Sequence, residues 1–201
     1  LLFVFIVLSQ SVAFAGDNKS SCCCKDRCLC TPDKHCGCYG LKNKLTNSST
    51  PRIDETVCDV NIQNSGGSGV VIYAENGLGV ALSAKHVVTH SGGANIGNIT
   101  SKNGNNYKFS VMAYHRSEDL VAIWFNYNED KKPVKARLAT TTPEGNSNIW
   151  KIGYPIDSGR KIDVKTGRYI NRNGFHGMMH TTAYVNSGDS GGGFFNDNGE
   201  L

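Results

Sequence analysis

The stretch Asn186–Phe195, NSGDSGGGFF, decides how the rest of the chain is read. A serine stands inside a run of glycines, and two phenylalanines follow. Glycine runs are ordinarily loops, and paired aromatics are ordinarily buried strand. Ser190 at the join is either incidental to a turn or the hydroxyl that the glycines shape. Glycines around it permit backbone angles that aim the amides of Gly188 and Ser190 at one point. They also leave room for a carbonyl group beside the hydroxyl. Asp189 can bond locally and hold the loop rigid.

A serine hydroxyl becomes a nucleophile when a base takes its proton and a carboxylate fixes the tautomer of that base. The chain has six histidines. His35 lies in a cysteine-rich stretch, and His90 lies in a polar Ser-Gly-Gly loop. His115 and His176 stand among polar or glycine neighbours. His180 falls on an expected strand close in sequence to Ser190. His86 differs, because it ends the apolar run LGVALSA (78–84) and begins VV. For the carboxylate, Asp119 stands at the mouth of DLVAIWF (119–125), with Glu118 as the alternative. Singly, His86 also reads as an ordinary core or surface histidine and Asp119 as a solvated strand end. Together the three residues run His, Asp, Ser along the chain, an order that is not the one found in α/β-hydrolases.

Working outward, short Val-, Ile-, Tyr- and Phe-rich runs are punctuated by Gly, Asn, Asp and Pro. They are VCDVNIQ, SGVVIYA, LGVALSA, YKFSVMAYH and DLVAIWF, then ARLAT, NIWKIGY, KIDVKTGRYI and MMHTTAYV. Such runs predict strands, and the absence of a long helical period predicts an all-β chain closed as a sandwich or barrel. The polar stretch EDKKP (129–133) divides the strands into two groups, and AKHVV (84–88) allows a single helical turn. With 39% hydrophobic and 19% charged residues in 201, the chain is neither compositionally disordered nor a membrane bundle. A net charge of +4 without a dense basic block does not suggest nucleic-acid binding.

The N-terminal third reads differently. LLFVFIVLSQSVAFA (1–15) is uncharged, its solid apolar part is too short for a membrane span, and Ala13-x-Ala15 precedes Gly16. We read it as the end of a secretory signal peptide truncated at its N-terminus, with a secreted or periplasmic destination and no membrane span in the mature chain. Residues 16–40 hold seven of the eight cysteines, in SCCCKDRCLCTPDKHCGC. An oxidising destination favours disulfides, while C-x-C spacing beside His35 also suits a soft metal. Residues 41–55 read as a polar linker, and residues 56–201 as the folded domain.

GDSGG at 188–192, His86 after an apolar strand and Asp119-Leu120 before another together resemble the trypsin/chymotrypsin superfamily of serine endopeptidases. GSGVVI (67–72), AKHVV (84–88), IGYP (152–155) and TTAYVNSGDSGGGFFNDNGEL (181–201) are most similar to its bacterial, HtrA-type branch. The resemblance implies two six-stranded antiparallel barrels with the site between them, the second incomplete in this sequence. It implies His86 as general base and acid, Asp119 as its orienting carboxylate and Ser190 as nucleophile. Gly188 and Ser190 become the oxyanion-hole donors, and Tyr184 lies near the primary pocket. It implies a protein or peptide substrate, and neither a cofactor nor a metal. A catalytically inactive, cysteine-rich binding protein on the same scaffold is the alternative, and an esterase using the same three residues is a weaker one. Three positions depart from the pattern. Lys85 stands where Ala is usual, Gly193 where Pro is usual, and Asp-Glu-Thr follows Ile53 where an activating cut at Arg52-Ile53 would leave small residues.

Overall fold

Alternation of apolar and polar residues builds the first barrel strand by strand. The structure, a computed structural model, describes residues 52–90, 92, 94–172 and 179–201. The expected signal peptide, the cysteines from Cys22 to Cys38, His35, His176 and nearly all of the expected linker lie outside the described residues. Residues 53–201 belong to one compact unit. Its first six strands are β1 (Val57–Ile62), β2 (Ser65–Glu75), β3 (Leu78–Ala84), β4 (Ile96–Ser101), β5 (Asn106–Tyr114) and β6 (Leu120–Asn126). They close into an antiparallel barrel in the order β1-β2-β3-β6-β5-β4.

The inward residues of each strand fill this barrel, because successive side chains of a strand face opposite ways. On β6 they are Val121, Ile123 and Phe125, and on β5 Tyr107 and Phe109. The Tyr107 and Phe125 rings meet with centroids 5.0 Å apart. Cys58 lies in the same core with a free thiol, and burial first, then the charge of Asp59, pushes that thiol up to about 12. Between β3 and β4 the helical turn α1 (Lys85–Thr89) forms where AKHVV allows one. The sequence before β1 is structured too. Ile53–Glu55 make a 3-10 turn whose buried Asp54 pairs with Lys102.

After the 3-10 turn Glu129–Lys131 the chain builds a second, open sheet from β7 (Asn148–Gly153), β8 (Asp163–Asn171), β9 (His180–Thr181) and β10 (Gly193–Phe195). The strand order is β10-β7-β8-β9. The fold is therefore all-β, with one closed barrel and one half-barrel, the double barrel with an incomplete second member that the sequence leads one to expect. Two expected strands are shorter than their composition implies. ARLAT contributes only a parallel bridge between Arg137 and Glu200, because Ala136 donates its N–H back to Val71 O of the first barrel, while Arg137 O accepts the Leu201 N–H and Ala139 N–H donates to Leu201 O. MMHTTAYV is regular strand only over His180–Thr181; Thr182 still bonds Arg168 of β8, and the Thr181 hydroxyl accepts the Ala183 N–H at 3.2 Å in place of a ladder partner.

Phe125→Ala is expected to lower the free energy of urea unfolding by about 3–5 kcal/mol, since no smaller side chain fills that barrel. Cys58 is expected to resist Ellman's reagent at pH 8 in the native state and to react promptly in denaturant, because only the thiolate attacks.

Candidate functional site

The first barrel supplies a histidine and a carboxylate already engaged with each other. β3 ends at Ala84, which caps α1, and α1 presents His86. Asp119 immediately precedes β6, and Lys85 N–H donates to its backbone carbonyl at 3.2 Å. Its carboxylate takes two bonds from one residue. Oδ1 accepts the His86 backbone N–H at 2.7 Å, and Oδ2 makes a short contact with His86 Nδ1. With the Nδ1 proton on that bond, Nε2 of a neutral His86 is left as the acceptor. Glu118 takes no part in this contact; its N–H donates to His115 Nδ1 at 3.0 Å. Lys85, unexpected beside His86, extends outward so that its ammonium lies 5.8 Å from the centroid of the Tyr114 ring.

The second sheet supplies Ser190, on the loop between β9 and β10. The loop lies against the first barrel, and two glycines make that approach possible. Gly191 has φ +83°, and a β-carbon there would fall 2.2 Å from Ser68 O and 2.7 Å from Ala84 N. The residue after Ser190 is thus packed on the residue that caps the His86 turn. Gly188 has φ +94°, and a β-carbon there would strike Tyr154 O and Ile156 N.

The loop is pinned from three sides. Ile156 N–H donates to Ser187 O at 2.8 Å. A trans peptide points its N–H opposite to its carbonyl, so this bond turns the Gly188 N–H away from residue 156. Ser68 N–H donates to Ser190 O at 2.7 Å, and Ser68 Oγ donates to Gly188 O at 2.8 Å. Asn186 N–H donates to Asp189 Oδ2 at 2.8 Å, the local bond expected of that aspartate.

Asp189 also makes a contact that sequence reasoning missed. Lys151 of β7 reaches Asp189 Oδ2 at 2.6 Å, with side chains only 3% and 1% exposed. Asp163 Oδ2 stands 3.5 Å from the same ammonium. The available signal was a lone lysine inside the apolar run NIWKIGY. Arg160 was missed as well. From the loop after β7 it pairs with Asp59 on β1 and donates to Val60 O and Gly67 O. Tyr184 lies on the loop after β9 and is 67% exposed. No group of three metal-ligating side chains occurs among the described residues.

Residues 67–201 match the trypsin-like peptidase domain. The chain belongs to the trypsin-like peptidase family, a class of serine proteases whose fold it shares. Among curated proteins it is 26% identical over 140 residues to the probable periplasmic serine endoprotease DegP-like of Buchnera aphidicola. That match spans 67% of this chain and 28% of the relative, so the chain corresponds to less than a third of the longer protein. Among solved structures it resembles the serine endoprotease from Yersinia pestis, with a TM-score of 0.62 and 25% identity, over 74% of this chain and 52% of that one. The Rv3671c protease in its inactive form shares the fold at TM-score 0.62 and 19% identity, over 79% of this chain and 80% of that one.

Lys151→Met leaves the Asp189 carboxylate buried without its cation, and is expected to cost about 3–5 kcal/mol of stability in urea. The double variant Lys151→Met/Asp189→Asn is expected to regain most of that loss, because no uncompensated charge remains.

Proposed function

We propose that this protein is an exported serine endopeptidase that hydrolyses peptide bonds through His86, Asp119 and Ser190. The observation that carries the proposal is the engagement of Asp119 with both the backbone N–H and Nδ1 of His86. One carboxylate thereby fixes the position and the tautomer of the base. Family membership and the DegP-like relative support the same reaction class.

In this reading His86 Nε2 takes the proton of Ser190 Oγ as that oxygen bonds to the substrate carbonyl carbon. The negative charge then formed on the carbonyl oxygen is met by the amides of Gly188 and Ser190. When the carbon–nitrogen bond breaks, His86 returns the proton to the departing amine and an acyl-enzyme remains. Water, deprotonated by His86, attacks that ester, and the proton passes back to Ser190 Oγ. Asp119 stays ionised throughout and stabilises the imidazolium. In the same reading Tyr184 stands near the base of the primary specificity pocket. Export follows from the Ala-x-Ala pattern before Gly16 and agrees with the relative described as periplasmic. Among the described residues no helix is long and apolar enough to cross a membrane.

The test is labelling of the full-length protein with a fluorophosphonate, together with hydrolysis of an unstructured protein such as casein. Wild type is expected to label and cut. Ser190→Ala is expected to do neither, and Asp119→Asn is expected to lose about 10⁴-fold in kcat. Equal labelling of wild type and Ser190→Ala, or a wild type inert to both probe and substrate, rules the proposal out.

A further inference from the structure

Ser68 is fully buried on β2, more than a hundred residues from the nucleophile loop in sequence, and every hydrogen-bonding group it owns is used. Its N–H donates to Ser190 O at 2.7 Å. Its hydroxyl donates to Gly188 O at 2.8 Å and accepts the Tyr154 N–H at 2.8 Å. Its carbonyl accepts the Ser83 hydroxyl at 2.7 Å. A core strand position of this kind ordinarily carries an apolar side chain, and Val70 and Val71 follow on the same strand. A buried hydroxyl that is both donor and acceptor is costly unless fully paired, so its placement specifies the geometry of its partners.

The two nucleophile-loop carbonyls that Ser68 holds lie on either side of the Ser190 N–H, while the Gly188 N–H sits one peptide upstream, in the peptide whose carbonyl accepts the Ile156 N–H. Gly188 O belongs to the peptide after the Gly188 N–H, and Ser190 O to the peptide after the Ser190 N–H. Fixing both carbonyls restricts the segment that carries the Ser190 N–H, and the Gly188 O bond anchors the residue whose N–H the Ile156 bond to Ser187 O directs. The Tyr154 N–H ties the same hydroxyl to the loop from which Ile156 sets the Ser187 carbonyl. One side chain of the first barrel therefore joins the two segments of the second sheet that together orient the amides.

We infer that Ser68 is a positioning residue for the oxyanion hole, acting through the Gly188 and Ser190 carbonyls without touching substrate. The inference rests on the endopeptidase reading above. Ser68→Ala removes the hydroxyl and leaves Gly188 O and the Tyr154 N–H without that partner, so that the Gly188–Asp189 peptide keeps only the bond from its N–H to Asn186 O and is less tightly held. The consequence falls on the transition state, where charge develops at the hole, and little on ground-state binding.

The experiment compares wild type, Ser68→Ala and Ser83→Ala as full-length proteins, with active sites counted by fluorophosphonate titration. Ser83→Ala removes one buried hydrogen bond from the same residue but none to the nucleophile loop, so it controls for stability. Ser68→Ala is expected to lose about 10- to 100-fold in kcat per titrated site with KM within about twofold. Its affinity for a peptide boronate, which occupies the hole, is expected to fall in parallel with kcat. Ser83→Ala is expected to keep both within about twofold. If Ser68→Ala does not fold, Ser68→Cys takes its place, and its weaker donor is expected to lower kcat per site with KM held. Wild-type kcat per site and boronate affinity in the Ser68 variant, or equal losses in the Ser68 and Ser83 variants, overturn the inference while leaving the endopeptidase reading intact. A wild type that neither titrates nor cuts overturns both.

Discussion

The loop that carries Ser190 depends on one buried ion pair, Lys151 with Asp189. Two charged groups withdrawn from water cost several kcal/mol each before their attraction offsets it, so such a pair is a poor source of net stability. Its value is positional. Asp189 adjoins Ser190, and one carboxylate oxygen, Oδ2, takes both the Lys151 ammonium and the Asn186 N–H of its own loop. Rotating the loop would strand one charge in the interior. That penalty makes one loop conformation the only inexpensive one. The remaining Asp189 oxygen, Oδ1, is buried without a hydrogen bond and lies against Gly153. Direction in this site therefore comes from a single oxygen.

Around that constraint the two sheets divide the chemistry. The first barrel carries His86 and Asp119 on consecutive paired elements, since β3 and β6 run antiparallel with Ala84 opposite Leu120. The separation of 33 residues in sequence matters little once that register is set, because it places Lys85 beside Asp119 with His86 next along. The second sheet carries Ser190. Contacts across the join are polar and specific. Ser68 holds the loop, and Arg160 holds the β1–β2 hairpin through Asp59, Val60 O and Gly67 O. The apolar core of the first barrel gives rigidity, and these bonds convert it into a fixed position for the loop.

The three candidate residues and the all-β class were legible because each rests on local pattern. Strands alternate, glycines mark where backbone approaches backbone, and an acid or a histidine at the end of an apolar run is visible without neighbours. Lys151, Ser68 and Arg160 were not legible in the same way. Each is an ordinary residue whose meaning lies in a partner far away in sequence: 38 residues for Lys151 and Asp189, 120 for Ser68 and Gly188, 101 for Arg160 and Asp59. ARLAT and MMHTTAYV failed for the converse reason. Their composition is that of strands, but a strand needs a partner edge, and side-chain and inter-sheet bonds claimed their backbone first.

The Lys151 pair also bears on whether a cut at Arg52-Ile53 would act on Asp189. In that scheme a newly formed ammonium terminus enters the interior and supplies the cation for the carboxylate. Here the cation is already built into β7, and a second positive charge would have to desolvate next to the first. The segment around Ile53 is committed elsewhere. The Thr56 N–H and hydroxyl both bond the Ile53 carbonyl, and Asp54 is paired with Lys102 of the first barrel. Releasing Ile53 would break those bonds and bring Asp54 and Glu55 along with it, toward a site where Asp189 and Asp163 already share one lysine. Charge balance at Asp189 therefore favours a Ser190 loop ordered by the Lys151 already built into β7.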